Sequence, residues 1–191
     1  MTLAERAANY SKVFPDRPAM HAQGRWIEGT WVGGNNYRGS GYYGAYPPDY
    51  LERVWALFPD LKGQPFLHLF SGSLTPHDGK FRIDIRHAMK PSVVGDARSL
   101  PFKTAAFDLI LADTPYSAAH AVRYGTSMPD RRQVITEAAR VTKPGGFLVW
   151  LDTKLPMFRK DMWHWCGTIL VVRSTNHDFR GATIFERRRP S

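Results

Sequence analysis

Asp113-Thr114-Pro115-Tyr116 follows directly on the largely apolar run Phe107–Ala112. An acid, a constrained turn and an aromatic ring at the end of a buried strand can form a pocket for a flat ring that bears an amine. The carboxylate accepts one amine hydrogen, a turn carbonyl accepts the other, and the ring stacks on the tyrosine. The plain alternative is a strand and turn with an incidental tyrosine.

Three earlier clusters suggest a second ligand beside that pocket. Leu67-His68-Leu69-Phe70 ends in Ser71-Gly72-Ser73, where small residues let a ligand approach the backbone. Arg82-Ile83-Asp84-Ile85 sets one acid in an apolar strand, and an acid at such a strand end can accept both hydroxyls of a ribose. Val94-Gly95-Asp96-Ala97 places Asp96 to accept from an adenine amino group, with Ala97 behind the ring. Each has an ordinary reading as well: a common strand-then-glycine turn, a surface aspartate on an edge strand, and a Gly-Asp turn.

The elements that must position these residues are short apolar runs bounded by turn residues. Pro65–Phe70, Phe81–Ile85, Ser92–Val94, Phe107–Ala112 and Phe147–Leu151 read as buried parallel strands. Thr168–Val172 and Ala182–Phe185 read as an antiparallel pair. Pro48-Asp49 opens a helix to about Phe58, with Leu51, Val54, Trp55 and Phe58 at helical spacing. A second helix over Asp130–Val141 is stopped by Lys143-Pro144-Gly145-Gly146. The pattern predicts an α/β fold. Residues 1–46 interleave Trp26, Trp31, Tyr37, Tyr42, Tyr43 and Tyr46 with Gly29, Gly33, Gly34, Gly39, Gly41 and Gly44 and are expected to be an irregular extension, with the catalytic domain over 47–191.

Composition narrows the classes. The 191 residues are 43% hydrophobic, enough to bury a core in one domain. Cys166 is the only cysteine, which excludes an internal disulfide or a multi-cysteine zinc site, and no metal site is expected. No apolar run follows Met1–Arg6 and no stretch approaches the roughly 20 apolar residues of a bilayer span, so a cytoplasmic protein without membrane contact is expected. The net charge is +9, balanced over residues 1–60, +4 over 61–153 and +5 over 154–191. Such a chain attracts polyanions, although a solvated basic end gives the same count.

Taken in order, Leu67–Ser73, Asp84, Gly95-Asp96-Ala97, Leu100-Pro101-Phe102, Phe107–Tyr116 and Lys143–Phe147 resemble class I S-adenosylmethionine-dependent methyltransferases over about residues 65–187. The tetrad Asp113-Thr114-Pro115-Tyr116 is similar to the Asp-Pro-Pro-Tyr signature of the amino-methyltransferase branch, which includes small phage-type DNA methylases. The resemblance implies a doubly wound, mostly parallel seven-stranded Rossmann-like sheet with an antiparallel C-terminal strand. It implies S-adenosyl-L-methionine as cofactor, bound by Phe70, Ser71, Gly72, Ser73, Asp84, Ile85, Asp96, Ala97 and Tyr46. The implied reaction is methyl transfer to an exocyclic amino group, adenine N6 in DNA in the first place, with Asp113, Thr114, Pro115 and Tyr116 as catalytic residues. RNA, a small molecule, or nucleic-acid binding without catalysis are the alternatives. Three departures stand out: Ser71-Gly72-Ser73 has one glycine, Thr114 replaces proline, and about ten residues separate the first two strands. A parallel crossover needs about a dozen residues or more, so the first crossover helix is expected to be reduced to a turn.

Overall fold

The computed structural model describes residues 1–33, 46–173 and 179–189. Tyr37, Tyr42 and Tyr43 of the expected aromatic extension lie outside them. The chain opens with α1 (Leu3–Val13), whose start is fixed by a capping box: Glu5 N donates to Thr2 Oγ1, and Thr2 N donates to the Glu5 carboxylate. Then come β1 (His21–Gln23), β2 (Trp26–Gly33), α2 (Tyr50–Leu57), β3 (Phe66–Leu69), β4 (Phe81–Asp84), β5 (Val93–Val94) and β6 (Phe107–Asp113). The short helix α3 (Ala118–Arg123) and the longer α4 (Arg131–Val141) lead to β7 (Thr142–Asp152), β8 (Trp163–Arg173) and β9 (Phe179–Arg187).

The strands form one sheet in the order β1-β2-β8-β9-β7-β6-β3-β4-β5. β3, β4, β5, β6 and β7 pair in parallel, and β9 runs antiparallel between β7 and β8, as the sequence pattern predicts. The side chains of β6 and β7 alternate between two buried layers. Leu109, Leu111, Phe147, Val149 and Leu151 pack with Tyr10, Val54 and Leu57 of α1 and α2. Ile110, Ala112, Leu148 and Trp150 pack with Val134, Ile135 and Ala138 of α4. Helices on both faces and apolar residues at both parities define a doubly wound sheet.

Two expectations change. The sheet has nine strands among the described residues rather than seven, and the additional pair comes from the segment expected to be irregular. β1 and β2 form a hairpin closed by Gly24-Arg25, and β2 adds in parallel to β8. Glycine in β2 reflects close packing, not loop structure: a Cβ at Gly29 would collide with the Met20 sulfur. The Lys143–Gly146 stretch does end α4, but it continues as a wide bulge of β7 and not as a free turn. The β6 register jumps there from Phe107↔Thr142 to Leu109↔Phe147. The reduced first crossover is present as expected, since no helix lies between Leu69 and Phe81.

β3 has β4 and β5 on one side and β6 on the other, so the chain reverses its direction of strand addition between β3 and β6. In open α/β sheets ligands bind outside the carboxyl ends of the strands at such a switch point. No helix among the described residues is long and apolar enough to cross a membrane.

Candidate active site

The tip of β3 turns sharply: Phe70 and Gly72 both have left-handed backbone, at φ 57° and 49°. For Phe70 that conformation costs energy that neighbouring bonds must offset. Ser71 N donates to Ile83 O at 3.0 Å and Gly72 N to Asp84 Oδ2 at 2.9 Å, so β4 holds the turn in place. Ser71 is 4% exposed and its hydroxyl has no hydrogen-bond partner. A buried hydroxyl in that state costs roughly 1–3 kcal/mol unless a ligand satisfies it. Ser73 is exposed, one residue further out.

Asp84 is buried and its acceptor sites are filled. Oδ1 accepts from Arg86 N (2.9 Å) and Arg86 Nε (3.0 Å), while Oδ2 accepts from Gly72 N and Arg86 Nη2 (3.2 Å). A carboxylate offers about four lone-pair sites, so any further donor to Asp84 would have to displace the Arg86 guanidinium. Ile85 is 55% exposed beside it. Gly95 N donates to Asp84 O at 3.1 Å, which brings Asp96 to the same edge. Asp96 pairs with Arg98 at 2.6 Å, and that hydrogen bond holds its carboxyl below the usual range. Ala97 is buried in the core cluster that includes Leu100.

Asp113 ends β6 opposite Leu151 of β7. The Tyr116 hydroxyl donates to Asp113 Oδ1 at 2.5 Å, closing the tetrad on itself. Burial, and then the Asp113 charge, push the Tyr116 phenol well above its ordinary value, so it remains a donor. Arg180 lies over the Tyr116 ring, 4.5 Å from its centroid, and occupies one stacking face. Pro115 and Thr114 are buried. The Thr114 hydroxyl donates to Asp152 Oδ2 at 2.6 Å, so the residue in place of the second-position proline anchors the turn through its side chain.

Asp152 is an organising group that the sequence pattern does not single out. It ends β7 as Asp113 ends β6, its side chain is wholly buried, and it accepts from Thr114 Oγ1, Arg131 Nε, Trp150 Nε1, Thr153 N and Lys154 N. Arg131, at the first turn of α4, also donates to the carbonyls of Pro115 (3.3 Å) and Tyr116 (3.4 Å). One guanidinium therefore ties β7, α4 and the tetrad loop together. The signal available in sequence was the acid closing the Phe147–Asp152 run.

Tyr46 stacks on Tyr50, with centroids 4.7 Å apart and planes at 12°. Burial pushes both phenols well above their ordinary values, and the Asp113 charge adds to it, so both rings flank the Asp113 side of the site. The Tyr50 hydroxyl is a second buried polar group without a partner. Tyr46 Oη lies 3.4 Å from His68 Nδ1, and His68 Nε2 lies 3.1 Å from Asp78 O. A carbonyl partner puts the proton on Nε2 and leaves Nδ1 to accept from Tyr46. Burial lowers the His68 pKa to about 4, which keeps the ring neutral. By contrast, the Cys166 thiol is buried and pushed up to about 12, unsuited to nucleophilic chemistry.

Two unpartnered hydroxyls, two adjoining aspartates and an aromatic-lined carboxylate thus meet at the carboxyl ends of β3, β4, β5 and β6. A family model described as a methyltransferase domain matches residues 79–150. Asp84, Asp96, Asp113 and Arg131 all fall within that stretch. The chain is 33% identical over 110 residues to a demethylmenaquinone methyltransferase of Lactiplantibacillus plantarum, a match covering 56% of this chain and 39% of the relative. The chain therefore spans well under half the length of that curated relative. Among solved structures, TrmN from Thermus thermophilus superposes with a TM-score of 0.57 at 17% identity, over 80% of this chain and 52% of that one. The PH0226 protein from Pyrococcus horikoshii OT3 gives a TM-score of 0.44 at 17% identity, over 74% of this chain and 92% of that one. The likeness to TrmN shows the Rossmann-like fold alone, and the methyltransferase-domain match implies S-adenosyl-L-methionine as the cofactor.

Proposed function

We propose that the chain transfers a methyl group from S-adenosylmethionine to an exocyclic amino group of nucleic acid, adenine N6 in DNA being the first candidate. The observation that carries this reading is the closed tetrad. A carboxylate at a strand end, its tyrosine bonded to it and its turn carbonyls held by Arg131 form a preorganised acceptor for an amine. The bound cofactor supplies an electrophilic methyl on a sulfonium, and the protein supplies position and electrostatics.

Ser71, Gly72, Asp84, Ile85 and Asp96 would hold the cofactor, with the Ser71 hydroxyl gaining a partner and Arg86 yielding Asp84 to the ribose. Phe70 and Ser73 flank that turn, and Ala97 contributes by shaping it from the core side. Tyr46 and Tyr50 bound the space between β3 and Asp113 as neutral rings. At the acceptor, Asp113 and the Thr114 carbonyl take the two amine hydrogens, so the nitrogen lone pair points at the methyl. Alignment of this kind lowers a barrier by several kcal/mol, with about 7–11 as the upper range for well-oriented groups. Tyr116 stacks on the base, sharing its ring with Arg180. A duplex substrate must flip the base out first, at a cost of a few kcal/mol.

A second reading has its own support: the curated relative is a demethylmenaquinone methyltransferase, which favours a small-molecule acceptor. Incubating the protein with tritiated S-adenosylmethionine and DNA, RNA or a metabolite extract separates the two. The proposed function expects label in nucleic acid, and label confined to the small-molecule fraction replaces it with the second reading.

A further inference from the structure

The three arginines that end the described chain differ in what they do. Arg187 is committed to the fold: Nε donates to Ala139 O at the end of α4 (2.8 Å) and Nη1 to Met162 O (3.0 Å). Arg188 and Arg189 face a cleft of about 450 Å³, lined also by Arg25 from the β1–β2 turn and by Glu186. Glu186 pairs with Arg25 at 2.8 Å, and Arg25 remains 60% exposed. Arg188 makes one long bond, from Nε to Trp163 O at 3.4 Å, and Arg189 rests against Gly145. Neither has a carboxylate partner among the described residues. The cleft thus carries three positive charges against one negative. Guanidinium groups converging on an opening in this way suit a tetrahedral oxyanion held by paired N–H donors.

The cleft lies at the end of the sheet away from the tetrad. Asp113 is level with Leu151 and Ala182, whereas Glu186 is level with Phe147, and Arg188 and Arg189 lie beyond it. At about 3.3 Å per residue the separation is on the order of 20 Å. Trp26, next to Arg25, is 37% exposed, with its ring edge-on to Trp165 at 5.1 Å.

We propose that the Arg25–Arg188–Arg189 cleft is a phosphate-binding site that holds the phosphodiester backbone of a single-stranded nucleic acid, with the Trp26 ring beside it as a stacking surface for a base. The site rests on the nucleic-acid reading above for its purpose, because a strand of roughly six nucleotides at 3.4 Å each reaches from the cleft to the tetrad, whereas a small acceptor does not. Glu186 weakens the site by like charge toward phosphate while it orients Arg25.

The test measures binding by the full chain, not turnover. Fluorescein-labelled dT12 and rU12 are titrated by anisotropy across a salt series, with inorganic pyrophosphate as competitor. The Arg188→Gln/Arg189→Gln double variant is expected to bind at least tenfold more weakly. Its slope of log K against log salt is expected to fall by about 1.4, from two contacts at roughly 0.7 each on a single strand. Glu186→Gln is expected to bind several-fold more tightly, a gain that a purely structural role does not produce. dT12 and rU12 carry no exocyclic amine, so their binding reads this site apart from the proposed chemistry, and the two fail separately. Preference for dT12 or rU12 identifies the strand type. Wild-type affinity and slope in a folded double variant overturn the proposal, as does weaker binding by Glu186→Gln.

Discussion

In the tetrad loop the Tyr116 phenol donates to Asp113 while its ring lies under Arg180, so one residue has separable polar and stacking functions. Tyr116→Ala is expected to weaken acceptor engagement by roughly 1–3 kcal/mol, the scale of one base–aromatic stack. Tyr116→Phe keeps the ring and loses the bond to Asp113, so it should fall between, about 1 kcal/mol short of the wild type. Acceptor KM for the two variants checks the order. His68 gives a second residue-level expectation. Its folded pKa of about 4 lies below its ordinary 6.5, so the unfolded chain binds the extra proton between those values. Its contribution to stability is complete above pH 6.5 and is lost as pH falls toward 4, about 2–3 kcal/mol by pH 4.5. Denaturant titrations at pH 7 and pH 4.5 are expected to show His68→Gln losing that much less than the wild type. Parallel losses would remove His68 as the source.

At the scale of elements, Arg131 and Asp152 fasten the tetrad loop to α4 and β7. Arg131→Ala leaves a buried carboxylate short of its charged partner, and breaking such a pair costs about 3–5 kcal/mol. Asp152 keeps five other donors, so about 2–3 kcal/mol is expected in thermal or denaturant unfolding. Four of the five parallel strands were legible in the sequence because both of their faces are buried, which leaves near-continuous apolar runs such as Leu109–Ala112, whereas β5 is an edge strand with Val94 51% exposed. The Asp152 network was not, because it depends on the β6–β7 register, which brings Thr114 beside Asp152. The β1–β2 hairpin was hidden for a different reason. Gly29 breaks the alternation of β2, and its cause, the Met20 sulfur, becomes visible only when the chain is packed. Asp84 was legible as an acid at a strand end, but its occupation by Arg86 was not, since two residues of spacing do not reveal where a guanidinium folds back.

For the whole molecule, the order of strands gathers Asp84, Asp96 and Asp113 at one end of the sheet, with the Arg25–Arg188–Arg189 cleft at the other. The net charge of +9 was legible from composition, yet composition could not separate Arg187, which holds the end of α4, from Arg188 and Arg189, which face the cleft. The implied cofactor rests on the matched domain, while the proposed acceptor rests on the tetrad. Asp113 is therefore where the account is most exposed. Its carboxylate contributes chiefly as the amine is aligned and becomes positive in the transition state, and contributes little to holding the cofactor. The most direct test combines methyl transfer from labelled S-adenosylmethionine with calorimetric titration of S-adenosylhomocysteine, for the wild type and Asp113→Ala. Loss of transfer with cofactor affinity kept within a few fold is the predicted result. Robust turnover by Asp113→Ala on the wild-type substrate would contradict the account.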